Sequence, residues 1–126
     1  MIKIDAETRK IEWVFQFSDE EWPREIKING TRDTIYFINK NIYRHPVLSE
    51  NEPELIIKSP YTGAFTGGYY GLGIDPISSE IYVADAIDYV QRGMIYRFTG
   101  QGTKIDSFRA GVAPGKFCFT TKKTTK

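Results

Sequence analysis

The chain has 126 residues, 40% hydrophobic and 14% aromatic, which is enough apolar material for one domain with a packed core. Its 17 Lys and Arg nearly cancel 16 Asp and Glu, and a net charge of +1 leaves no global field to draw it to nucleic acid or an anionic membrane. One cysteine, Cys118, and one histidine, His45, exclude an intrachain disulfide and a zinc site of His and Cys ligands, and no metal or cofactor is expected.

MIKIDAETRKIEW opens the chain with two short alternating runs about a polar turn. Asp5, Glu7 and Glu12 stand where a secretory signal needs an unbroken apolar stretch, and no later segment approaches the ~18 apolar residues of a membrane span. SDEEWPREI is too short and too interrupted by Pro23 to hold a helix, and reads as a crossing between strands. EIKI, NGTRD and TIYFI then spell strand, turn, strand, and Ile42-Tyr43-Arg44 and ELIIK supply a third and a fourth strand. A glycine-rich, aromatic stretch from Ser59 to Tyr70 follows. After it the pattern returns as LGI, DPISS, EIYVA, a longer loop, MIYRF and KIDSF. PGKFCF closes the patterned region, and TTKKTTK reads as a solvated tail.

The return is a repeat. A shift of 46 lays Ile26 on Leu72, Ile28 on Ile74 and Ile35-Tyr36-Phe37 on Ile81-Tyr82-Val83, and a further shift of 45 lays Leu72 on Phe117. Four antiparallel strands in ~40–45 residues is the signature of a β-propeller blade. The first residues fit the same template from its middle, because Ile4 falls on Phe98 and Ile11 on Ile105 at an offset of 94. Lettering the strands of a blade a to d, the chain divides into c-d over 1–22, one blade over 23–68, a second over 69–112, a lone strand a over 113–120 and a polar tail over 121–126. The expected fold class is therefore all-β, with eleven strands making about 2.75 blades of a partial propeller.

The segment from Tyr69 to Phe119, with IYVADA followed by DYV and MIYRF, resembles the final repeat of bacterial YVTN-type, NHL-like β-propeller proteins, and the likeness is weaker but in register over residues 1–68. The resemblance implies an exported protein, periplasmic, surface-bound or secreted, whose full-length relatives carry about seven blades. Just under three blades leave a strand open at each side, which invites pairing with another chain. Three readings stand: a short form that assembles symmetrically, a truncated product, or an open fragment stabilised by its own packing. Two chains closing one ring is the favoured reading, with strand a of one chain completing the c-d pair of its partner.

Ile35 to Ile42 spans 7 residues and Ile81 to Ile95 spans 14, so the second blade carries seven more in its b-c loop. In a blade the b-c and d-a connections emerge on one face, so this loop and the Ser59–Tyr70 stretch are expected together. They offer Asp85, Asp88, Tyr89, Gln91 and Arg92 from one side and Tyr61, Phe65, Tyr69 and Tyr70 from the other, a mixture suited to a small ligand, glycan or peptide. A structural reading outweighs it: the resemblance implies that the DYV loop recurs across the family, serving the fold, with Asp85 and Asp88 tying backbone amides. His45 and the tryptophans Trp13 and Trp22 are expected to pack, Cys118 to be buried, and Asn29-Gly30 and Asp75-Pro76 to be turn chemistry on the opposite face.

No catalytic residue is expected, and the function read from the sequence is a non-enzymatic binding or scaffold propeller with a glycan, peptide or envelope ligand. The alternatives are a lactonase-like hydrolase or lyase with a loop-face site, for which Glu80, Asp85 and Asp88 are thin support, and a remnant without independent function.

Overall fold

The structure, a computed structural model, describes residues 1–61 and 68–120. Its local framework comes from short polar side chains folding back on their own backbone. Asp5 accepts the Glu7 and Thr8 amides, both at 2.8 Å, and turns strand β1 (Ile2–Ile4) into β2 (Ile11–Val14). Asn29, bonded to the Asp33 and Thr34 amides, joins β3 (Arg24–Ile28) to β4 (Thr34–Asn39). Asp75 repeats the Asp5 device on the Ile77 and Ser78 amides between β7 (Tyr69–Ile74) and β8 (Ile81–Asp85). These turns occupy the places where Asn and Asp are favoured for their side-chain reach.

The remaining strands are β5 (Asn41–Pro46), β6 (Glu54–Ile57), β9 (Arg92–Phe98) and β10 (Lys104–Val112). All ten pair antiparallel in three sheets: the hairpin β1-β2, then β3-β4-β5-β6, then β7-β8-β9-β10, every strand beside its sequence neighbour. No helix occurs among the described residues. The all-β reading and its four-stranded antiparallel units are thus present.

The sheets are stacked face to face. β4 is covered on both sides: Phe37 meets Phe17 from the hairpin segment at 5.7 Å between centroids, whereas Tyr36 and Ile38 join the buried cluster with Leu72, Ile74, Ile81 and Val83 of the second sheet. A strand buried on two faces reads as a continuous apolar run, which is what TIYFI is. The second sheet meets the first through β7, which lies against β3 and β4. The guanidinium of Arg24 in β3 donates to the Tyr69 and Tyr70 carbonyls of β7, at 2.6 and 3.3 Å. At the turn end the fit leaves no room for a side chain: a Cβ on Gly30 would lie 1.7 Å from the Pro76 carbonyl oxygen.

Three expectations are corrected. Among the described residues there are ten strands rather than eleven, because residues 114–120 run across the second sheet without forming a strand. Gly71 and Gly73 make space for them, since a Cβ there would lie 2.5 Å from the Gly115 carbonyl oxygen and 2.8 Å from Phe117. Cys118 is exposed, because Phe117 and Phe119 turn inward onto Tyr82 and the residue between them faces the other way. Trp22, expected to pack, is 72% exposed on the crossing into β3, whereas Trp13 does pack, stacked on His45 at 4.5 Å.

Both ends of the stack carry consequences for assembly. The outer face of the hairpin presents Ile2, Ile4, Ile11 and Val14, paired across the strands and each 53% to 61% exposed. In both complete sheets the second strand separates the first from the third. A C-terminal strand a set beside a partner's hairpin would therefore stand next to c-d with no b between them.

Candidate functional site

The two unequal loops lie at one end of the sheets. β4 and β5 are separated by Lys40 alone, held at φ 61, whereas β8 and β9 are separated by residues 86–91. The longer loop is tied down by two aspartates and bends through left-handed backbone at Ile87 and Tyr89, φ 58 and 65. Positions like these cost of order 1–3 kcal/mol each and persist where surrounding bonds enforce them. Here Asp85 accepts the Ile87 amide at 2.8 Å, and Asp88 accepts the Val90 and Gln91 amides, both at 2.9 Å. Those two bonds hold the Asp88 carboxyl below the usual carboxylate range.

Asp85 is more than a turn residue. It is 1% exposed, and both its oxygens accept from the Tyr61 hydroxyl, at 2.9 and 3.1 Å. This bond ties the two loops together across the sheet end. Burial, then the Asp85 bond and charge, push the Tyr61 phenol up to about 12. Burial followed by the Asp85 charge does the same to Tyr69, and Tyr96 is raised by the same two causes. The outcome is one buried carboxylate ringed by three phenols that stay protonated at neutral pH. The sequence held the signal in its period of two, since Ile81, Val83 and Asp85 share a parity and therefore a face. Tyr96 was missed in the sequence reading, although it shares its own parity with Phe98.

The exposed part of the site is smaller. Tyr70 and Tyr89, one from each side, meet edge to face at 5.4 Å and remain 38% and 46% exposed. Tyr70 is backed by Gly115, where a Cβ would lie 2.9 Å from its ring, and Lys116 pairs with Glu25 at 3.0 Å nearby in the chain. Arg92 is turned back into its own sheet, its Nε donating to the Ala110 carbonyl at 2.9 Å. Gln91 likewise bonds the Asp88 carboxylate. Phe65 lies outside the described residues.

The expected residues thus divide into Asp85 and Tyr61, which tie the loops together, with Tyr69 buried beside them; Asp88, Gln91 and Arg92, which shape the loop; and Tyr70 with Tyr89, which face solvent. Among the described residues no group of three or more His, Cys, Asp and Glu is placed to hold a metal ion. Glu80 is engaged with Arg97 at 3.7 Å, toward the other end of β8. Compared with protein-family models and with curated proteins, the chain finds no match.

Proposed function

We propose that the chain is a partial β-propeller of the YVTN type and acts as a non-enzymatic binding or scaffold module, with the Tyr70–Tyr89 pair at the centre of its ligand surface. The observation that carries this reading is the pair itself: two aromatic rings from different loops, edge to face and open to solvent, above a backbone held in strained conformations. Rigid aromatic faces with few rotatable bonds are what a glycan or peptide ligand needs. Two four-stranded sheets in sequence order, approaching one another through their first strands, support the propeller architecture. The resemblance to exported propellers puts such a module at or outside the cell envelope.

Glycan and peptide arrays probed with wild type and with Tyr89→Ala and Tyr70→Ala test this. Both tyrosines are partly exposed, so each variant should fold and lose array binding together. Arrays without a hit, beside a measurable hydrolytic turnover, would replace the binding reading with the enzymatic one.

The same architecture supports self-association of two copies. The hairpin face of Ile2, Ile4, Ile11 and Val14 is apolar, and inside the molecule each sheet already packs its face on the sheet before it. Light scattering on the eluting protein should give a dimer that Ile4→Lys with Ile11→Lys converts to a folded monomer. A wild-type monomer would reject it.

A further inference from the structure

Between the two four-stranded sheets runs a second concavity, a cleft of about 410 Å³ that neither Tyr70 nor Tyr89 lines. Its volume lies within the usual range for small-molecule sites, ~300–1,000 Å³. One wall is Ile56 and Ile57 of β6, and the other is Tyr69, Tyr96 and Phe98 of the second sheet. At the β9–β10 turn the cleft is pinned shut. Gly102, at φ 92, approaches so closely that a Cβ would lie 2.5 Å from the Ile56 carbonyl oxygen, so a residue with a side chain there would prise the sheets apart.

The charges on this cleft are of one sign. Lys58 follows β6 on one sheet and Lys104 opens β10 on the other, and among the described residues no acidic one lines it. The Lys104 ammonium rests 5.0 Å from the Tyr96 ring centroid, so its charge is held over the aromatic wall. Asp85 does not line the cleft, but its charge reaches the Tyr69 and Tyr96 phenols. An anion is thereby repelled from the end near those phenols and attracted toward the lysines.

We propose that this cleft binds a small aromatic carboxylate, with its ring among Tyr69, Tyr96 and Phe98 and its carboxylate between Lys58 and Lys104. Three aromatic side chains on one wall favour a ring in edge or offset contact. Two ammonium groups from opposite sheets suit a group that offers two acceptor oxygens. A polyanion such as a nucleotide is a poor match, because among the described residues the lining offers two ammonium groups and no further cation.

The test is an amide-resolved NMR titration of the full chain with 3-phenylpropionate and, in parallel, with the uncharged 3-phenylpropan-1-ol. The acid should shift the Ile57, Tyr96 and Phe98 amides saturably, and the alcohol should bind more weakly at the same amides. Lys58→Met and Lys104→Met should each weaken the acid by roughly two- to fivefold, the scale of a solvent-screened ion pair, and leave the alcohol unchanged. Both lysines are exposed, so neither change threatens the fold. An acid that gives no saturable shift, that shifts only the Tyr70 and Tyr89 loops, or that binds both lysine variants as it binds wild type would overturn the proposal.

Discussion

The contact between the two four-stranded sheets is lined by Ile38, Ile42, Leu72, Ile81 and Val83, each at most 1% exposed, whereas the contact between the N-terminal hairpin and the first sheet is lined by Trp13, Phe17, Phe37 and His45. In the first, branched aliphatic side chains interlock on pleated surfaces, and the Tyr36 hydroxyl among them finds the Gly100 carbonyl at 3.2 Å. In the second, rings stack over one another and some of their polar edges are left over. Trp13 finds the Glu50 carbonyl at 3.1 Å, but neither ring nitrogen of His45 makes a well-formed hydrogen bond, the Ser49 backbone offering only a loose one. The difference shows what each sheet brings by itself. A four-stranded sheet contributes pairing of its own, whereas a two-stranded hairpin is marginal in water and depends on what it docks against.

Leu72→Ala breaks the aliphatic contact at its centre. The site is enclosed by strands on both sides and cannot collapse easily, so the loss should be about 2–5 kcal/mol of unfolding free energy. Urea unfolding should show it as a large fall in midpoint. A loss below about 1 kcal/mol would mean that the sheets are not stacked as described, since even a methylene removed from such a core is felt.

Trp13→Ala tests the other contact and should cost less, roughly 1–3 kcal/mol. Its signature is local. Hydrogen exchange should accelerate at the amides of β1 and β2 while β7 to β9 keep their protection, because the hairpin opens without the sheets separating. Equal acceleration in both regions would show that the two contacts form one cooperative unit.

Much of this division was legible in the sequence. The doubled Ile-Tyr pairs and the Asp and Asn turns located both four-stranded sheets, because a period of two and a side-chain-capped turn are local properties. The site was legible in part. The length of the loop from Ala86 to Gln91 and its meeting with Tyr61 and Tyr70 follow from strand order, but Arg92 was read as a ligand group and instead bonds its own sheet. What the sequence could not give depends on layers rather than neighbours. Cys118 alternates with two phenylalanines as a buried residue would, yet its side faces outward because among the described residues no sheet covers it. Trp22 is a large aromatic of the kind that packs, yet it stands largely exposed on its crossing.

His45 gives the finest distinction between the two contacts. It is 3% exposed and stacked on Trp13, and burial lowers its pKa below the ordinary 6.5, with the Lys3 charge adding to the effect and the Ser49 backbone opposing it. A lowered folded pKa means that the unfolded chain binds the proton more readily. Stability from the neutral ring is therefore present above about pH 6.5 and is lost as the pH falls from there through the folded value. Asp5, Asp33, Asp75 and Asp88 have the same sign but a lower window, since bonds in their turns lower them from 3.8 and their contribution fades only in stronger acid. Comparing urea midpoints at about pH 7.5 and about pH 5.5 thus isolates the histidine. Wild type should weaken between them, first at the hairpin by hydrogen exchange, and His45→Phe, which keeps a ring against Trp13 and removes the titrating group, should not. If the phenylalanine variant weakens as much as wild type, the acid sensitivity lies elsewhere and the aromatic contact is as indifferent to pH as the aliphatic one.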